Sequence, residues 1–117
     1  EFTLNDVRLL KVGRHFRISE EAKLVVGRDE EENKSLSILA GEGDMAFCAV
    51  KIKGPLGIGR GRFNKEDFET ATSIIARYSD ASKNQPSKIT YNRIPANGTN
   101  VINILPASEY DLERLRI

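Results

Sequence analysis

Apolar and polar positions change their spacing several times along the chain, and each change marks an element boundary. Val7 to Val12 and His15 to Ile18 read as two short strands around a turn at Gly13, with Phe16 and Ile18 alternating inward against Arg17 outward. Lys23 to Val26 reads as a third strand, stopped by Gly27. From Asp29 the period becomes helical: Leu36, Leu39 and Ala40 form an apolar stripe. Asp29 is an N-cap with Glu32 at capping-box spacing, and Gly41 and Gly43 end the helix. Met45 to Val50 is a near-continuous apolar run, the pattern of a central strand. Gly54, Gly57, Gly59 and Gly61 then alternate with Leu56, Ile58, Arg60 and Arg62, which suits an extended segment with side chains mostly on one face. Asn64 opens a second helix with Asp67 at capping-box spacing, and Phe68, Ala71, Ile74, Ile75 and Tyr78 form its buried stripe. A polar loop, Ser79 to Ser87, leads into strands Ile89 to Ile94 and Val101 to Leu105, joined through Pro95 and Asn97-Gly98. The tail SEYDLERLRI suits a last helical turn or two behind Pro106.

The order β-β-β-α-β-β-α-β-β predicts an α+β fold: a single domain, with a mixed β-sheet covered on one face by two main helices. The length of 117 residues suits one compact domain with a single core and is too short for two domains. A single cysteine, Cys48, rules out an internal disulfide framework and Cys-based zinc spacing. With no signal peptide and no long apolar span, the expected setting is cytoplasmic, without a membrane partner.

The net charge of +1 hides a sorting of charges along the chain. Residues 8–17, RLLKVGRHFR, and residues 51–65, KIKGPLGIGRGRFNK, are basic throughout, whereas acids gather at Glu30 to Glu32 and Glu66 to Glu69. If the two basic stretches fold side by side they make one positive face, the footprint of a nucleic-acid partner. If they do not, they are solvated strand faces.

Few residues suggest catalysis. GPLGIGRG lacks the Gly-Lys-Ser/Thr of a phosphate loop and the strand-to-helix placement of a dinucleotide fingerprint, so its arginines are better candidates for polyanion contacts. Cys48 sits in MAFCAV, where apolar neighbours favour a packing role over a reactive thiolate. His15 has no second histidine for a metal site, leaving a base, a phosphate donor or a surface residue. The stretch LVVGRDEEEN (24–33) says more. Gly27 removes a side chain where strand turns into helix, and Arg28 stands beside the helix-start N–H groups with five donors, a corner suited to phosphate. Asp29 to Glu32 would themselves satisfy the helix dipole, and Asn33 must find partners in the protein or on a ligand.

The succession FRIS (16–19), LVVGRDEEEN (24–33), GDMAF (43–47), KGP (53–55) and ARYSDASK (76–83) resembles the RNA-binding domain of the NFACT proteins, from about Val7 to Tyr91. Its strongest element is Gly-Arg-Asp/Asn with an Asn four residues on, in order with Gly-Asp and Tyr-Ser. Ribosome-associated members usually carry an aromatic residue and a His in the strand after Gly-Asp, where this chain has Ala46-Phe47-Cys48-Ala49. It looks more like the second, bacterial and archaeal version, joined to PP-loop ATPases related to tRNA thiouridine synthetases. The resemblance implies a noncatalytic accessory module over residues 1–117, with no cofactor in this domain, RNA and above all tRNA as partner, and a PP-loop ATPase domain in the same parent chain. The PP-loop motif Ser-Gly-Gly-x-Asp-Ser is absent from these residues, and Glu1-Phe2 begins without Met, as an excised domain or a tagged protein would.

On this reading Arg14, His15, Arg17, Arg28, Asn33, Arg60 and Arg62 form the RNA-binding set. The arginines take phosphates, and Asn33 organises the Gly-Arg corner or touches RNA. Aromatic residues are scarce and Trp is absent, which argues for recognition of backbone shape over a stacking platform. The rival reading is a module that docks a catalytic domain or a sulfur donor. A third, in which Cys48 carries persulfide sulfur, requires Cys48 to be exposed.

Overall fold

The structure, a computed structural model, describes residues 3–80, 82–95 and 98–117. It contains α1 (Leu4–Leu9), β1 (Arg14–Ser19), β2 (Ala22–Val26), α2 (Glu30–Leu39), β3 (Met45–Ala49), β4 (Gly57–Gly61), α3 (Lys65–Arg77), β5 (Ser87–Arg93), β6 (Asn100–Ile104) and α4 (Glu109–Leu115). The six strands form one sheet in the order β1-β2-β4-β3-β5-β6. Every neighbouring pair is antiparallel, so the sheet is not the mixed one expected. The α+β class and the single core-bearing domain are as expected.

Helices cover both faces rather than one. Phe16, Leu24, Val26, Phe47 and Ile89 pack against Ala71, Ile74 and Ile75 of α3 and Leu112 and Leu115 of α4. On the opposite face Val25 and Ile58 pack with Leu9 of α1 and Leu36 of α2. The physical reason lies in β2. Successive strand side chains point to opposite faces, and Leu24, Val25 and Val26 are all buried, so both faces of this strand need a cover.

The segment expected to open with a strand over Val7 to Val12 instead contains α1. Thr3 and Asp6 form a reciprocal capping box: the Asp6 N–H donates to Thr3 Oγ1 at 3.2 Å and the Thr3 N–H donates to Asp6 Oδ2 at 2.7 Å. Alternation over VRLLKV is broken by consecutive leucines, and Leu9 goes inside while Leu10 is exposed. The other elements fall close to their expected places, α3 with its Asn64–Asp67 capping box included. Asn97, part of the expected β5–β6 turn, lies outside the described residues.

In β4 the bare strand has a packing purpose. A Cβ on Gly59 would lie 2.7 Å from the Phe63 ring and 2.9 Å from the Phe47 ring, so glycine there lets the aromatic side chains close onto the strand. Ile58 and Arg60 carry the side chains of β4 on the other face, as the alternation predicted.

Candidate nucleic-acid interface

The Gly-Arg corner is built around an amide. Leu56 O accepts from the Gly27 N–H at 3.0 Å, and the Leu56 N–H donates to Asn33 Oδ1 at 3.1 Å. A side chain at position 27 would collide with Asn33 Oδ1. Gly27 and Asn33 thus form a matched pair that fastens the entry to β4 against the start of α2. The Glu32 donor at the helix start is also taken. Asp29 Oδ1 accepts from the Glu32 N–H at 2.8 Å, and Glu32 accepts from the N–H groups of Arg28 at 2.9 Å and Gly13 at 3.1 Å. Arg28 is engaged as a fork, Nε to Glu32 Oε1 at 2.8 Å and Nη2 to Oε2 at 2.6 Å. These donors, the Arg28 guanidinium first, pull the Glu32 carboxyl down to about 2. The protein's own carboxylate therefore fills much of the role a phosphate was expected to play.

A cleft of about 480 Å³ opens beside this corner, and it gathers segments far apart in sequence: Arg14, Asn33, the Lys53-Gly54-Pro55 step and Tyr78. The Arg14 guanidinium lies over the Tyr78 ring, 4.4 Å from its centroid. The Asp80 N–H donates to Lys53 O at 2.8 Å, which holds the far wall. Asp29, Glu30 and Asp80 also line the cleft, so its charge is mixed.

The cations sort onto different faces. Arg14 lies on the α3 face of β1 with Phe16, and His15 and Arg17 point the other way by strand alternation. Arg17 is directly opposite Lys23, and Lys23 is opposite Arg60, so one row of cations crosses β1, β2 and β4. Burial depresses the Lys23 pKa, and Arg17 and then Arg60 depress it further. His15 is half-buried, its Nε2–H donating to Val12 O at 2.9 Å while Nδ1 is buried without a partner. Burial lowers its pKa, with Lys23, Arg116 and Arg28 adding to the effect. Among the described residues no carboxylate forms an ion pair with Arg14, Arg17, Lys23 or Arg116.

Arg60 stands apart. Its Nε and Nη2 donate to Asp44 at 3.0 and 2.8 Å, and its Nη1 donates to Asp6 at 2.9 Å, tying β4 to the approach to β3 and to α1. Arg62 leaves the end of β4 and lines a different recess with Phe63 and Arg93. The seven expected residues thus fall into a cleft group at the end of the sheet (Arg14, Arg28, Asn33), three strand positions on the α1 and α2 side (His15, Arg17, Arg60) and Arg62 at the strand end. Lys23, Lys53, Tyr78 and Arg116 lay outside the RNA-binding set expected from the sequence, although Lys53 and Tyr78 belong to the KGP and ARYSDASK stretches. Lys23 was findable: a β1–β2 hairpin turning near Glu20-Glu21 puts it opposite Arg17.

Cys48 departs from expectation. It is exposed on β3 with Sγ 3.3 Å from Thr90 Oγ1, because the second core under α1 and α2 reaches only as far as Ala46 on that strand. Among the described residues no group of three His, Cys, Asp or Glu side chains is placed to hold a metal, and no helix is long and apolar enough to cross a membrane.

The fold and these surfaces define a small α+β module whose edge strand and neighbouring cleft carry unpaired cations. Residues 13–116 match the family described as the NFACT protein RNA binding domain, and the chain belongs to that family. RNA is therefore its class of partner. Among solved structures, the C-terminal part of the fibronectin/fibrinogen-binding protein from Streptococcus suis is similar in fold, with a TM-score of 0.80 at 16% identity. The similarity covers 91% of this chain and 49% of that one, so the chain spans about half the length of that relative. A comparison with curated protein sequences finds no match.

Proposed function

We propose that this domain holds tRNA as an accessory module of an ATP-dependent sulfur-transfer protein, with catalysis in a PP-loop ATPase domain of the same parent and the whole acting in the cytoplasm. The observation that carries the RNA-holding role is the direct opposition of Arg17 and Lys23 across β1 and β2. Like charges facing each other across a sheet cost stability, and here no carboxylate among the described residues pairs with either. Asp6 acts on Lys23 but is bonded to Arg60, and a polyanion supplies the countercharge that the row still lacks. Arg116, near His15, and Arg14 with Lys53 in the cleft extend the cationic surface on both sides of β1. The tRNA and sulfur-transfer parts of the reading rest on the likeness to the PP-loop-associated version of the domain.

Titration of the domain with unmodified tRNA at low and at physiological salt tests it. Affinity should fall steeply with salt, because each neutralised phosphate releases counterions. Binding equal at both salts would remove the electrostatic basis of the reading.

A second reading, docking of a catalytic domain, is favoured by one observation. Leu4, Leu10 and Ile38 are exposed on or beside the neighbouring helices α1 and α2, Ile38 to 78%. Docking there would persist at high salt.

A further inference from the structure

The chain has only five Phe and three Tyr and no Trp, yet half of these rings meet in one place. Phe68 lies between Phe63, at 5.3 Å and 27°, and Tyr91, at 4.7 Å and 20°, with the buried Phe47 ring beneath both ends at 5.9 Å. The rings form a short ladder, and Phe63 is one terminal rung. It sits in the connection between β4 and α3, half-buried, with its edge over Gly59.

A recess of about 570 Å³ opens beside Phe63, with Arg62 and Arg93 on its walls. Neither arginine forms an ion pair among the described residues; Arg93 donates only to Gly43 O, at 3.1 Å. Glu21 and Gly61 complete the wall. A small inorganic anion would have no use for the ring, and an apolar peptide would leave both guanidinium groups without countercharge. A nucleotide satisfies all of these groups. Its base has a π-face for Phe63, its flanking phosphates suit Arg62 and Arg93, and Glu21 accepts from an amino or imino N–H of the base.

We infer that this recess takes an unpaired nucleobase of single-stranded RNA, stacked on the terminal rung of the ladder. This rests on RNA as the ligand but not on tRNA or sulfur transfer. It also revises the expectation from composition: few aromatic residues suffice when the fold pools them. The recess lies where β4 ends and β2 begins, on the Gly59 side of the sheet, and the row of Arg17, Lys23 and Arg60 lies on the other side.

The chain contains no Trp, so Phe63→Trp places a single tryptophan, excited selectively over the three tyrosines, at the rung. Oligouridylate should quench its emission, whereas an abasic ribose-phosphate oligomer of equal length should bind through charge without quenching. In the unaltered protein, a strand containing 4-thiouridine should photo-crosslink to the peptide that contains Phe63. Phe63→Leu keeps an apolar side chain over Gly59 and should weaken single-stranded RNA binding roughly 5- to 150-fold while sparing duplex RNA. Oligouridylate binding that persists with no quenching, no crosslink at this peptide and no loss in Phe63→Leu overturns the base site and leaves the RNA reading intact. Failure of every RNA to bind the unaltered protein overturns both. Should the Trp variant not fold, the crosslink in the unaltered protein decides.

Discussion

Asn33 Oδ1 occupies the space that a side chain at position 27 would need, and it spends that position accepting from the Leu56 N–H at 3.1 Å. One residue's missing Cβ is thus the other's binding site. Gly27→Ala should expel the amide and orphan the Leu56 N–H, costing about 1–3 kcal/mol. Asn33→Ala should cost a similar amount, and the double variant little more than either alone, because both lose the same bond. Thermal and denaturant unfolding of the three variants checks this. Additive losses would show that the two residues act independently.

Glu32 gives the corner a pH signature. Its pKa falls from an ordinary 4.5 to about 2 in the folded chain, through the Arg28 guanidinium first and the Arg28 and Gly13 N–H groups after it. The unfolded chain therefore takes up this proton earlier as the solution is acidified. The stabilisation is fully present above 4.5 and is lost as pH falls towards about 2. Glu32→Gln should flatten the stability profile across that window, and the gap between the two proteins should close at its acidic end.

Lys23 sets stability against binding. Lys23→Met removes a cation opposed by Arg17 on one side and Arg60 on the other, and should stabilise the fold by roughly 0.2–1 kcal/mol. RNA affinity should fall in the same variant. Arg17→Ala, at an exposed position of β1, should also weaken RNA binding and reduce the slope of log affinity against log salt by roughly 0.7–0.9, the value for one phosphate contact. An unchanged slope would place RNA elsewhere on the domain.

Arg60 should behave in the opposite sense. Asp44 is only 5% exposed, and Arg60 supplies two of its hydrogen bonds, leaving the Gly41 N–H as the third donor. Arg60→Ala should therefore destabilise by about 1–3 kcal/mol through unsatisfied buried oxygens. RNA affinity per folded molecule should change less than in Arg17→Ala. A stable variant that loses binding would move Arg60 from the scaffold to the interface.

The regular elements were legible wherever local chemistry and tertiary packing agreed. The Asn64–Asp67 capping box and the stripe from Phe68 to Tyr78 announced α3 because both depend on near neighbours. α1 was missed because Val7 to Val12 holds too few residues to separate a two-residue period from a helical one, and the Thr3–Asp6 box that settles it lies upstream. The two-faced cover was encoded in the unbroken apolar run LVV, but the element that covers each face is fixed only by the strand order. The site was legible as residue types and not as partners. Arg28, Asn33 and Arg60 all carry the polar chemistry expected of them, yet Glu32, the Leu56 N–H and Asp44 lie 4, 23 and 16 residues away and claim much of it.

The strand order also sets how the chain finds its fold. Three pairings, β1–β2, β3–β4 and β5–β6, join consecutive strands, whereas β2–β4 must close over α2 and β3, and β3–β5 over β4 and α3. Each of these closures fixes a long loop before its contacts repay the lost entropy. Refolding should therefore be limited by the assembly of the central strands rather than by the helices. Trimming Phe47, where β3 meets both β4 and β5, should slow refolding, whereas trimming Leu112 on α4 should chiefly speed unfolding.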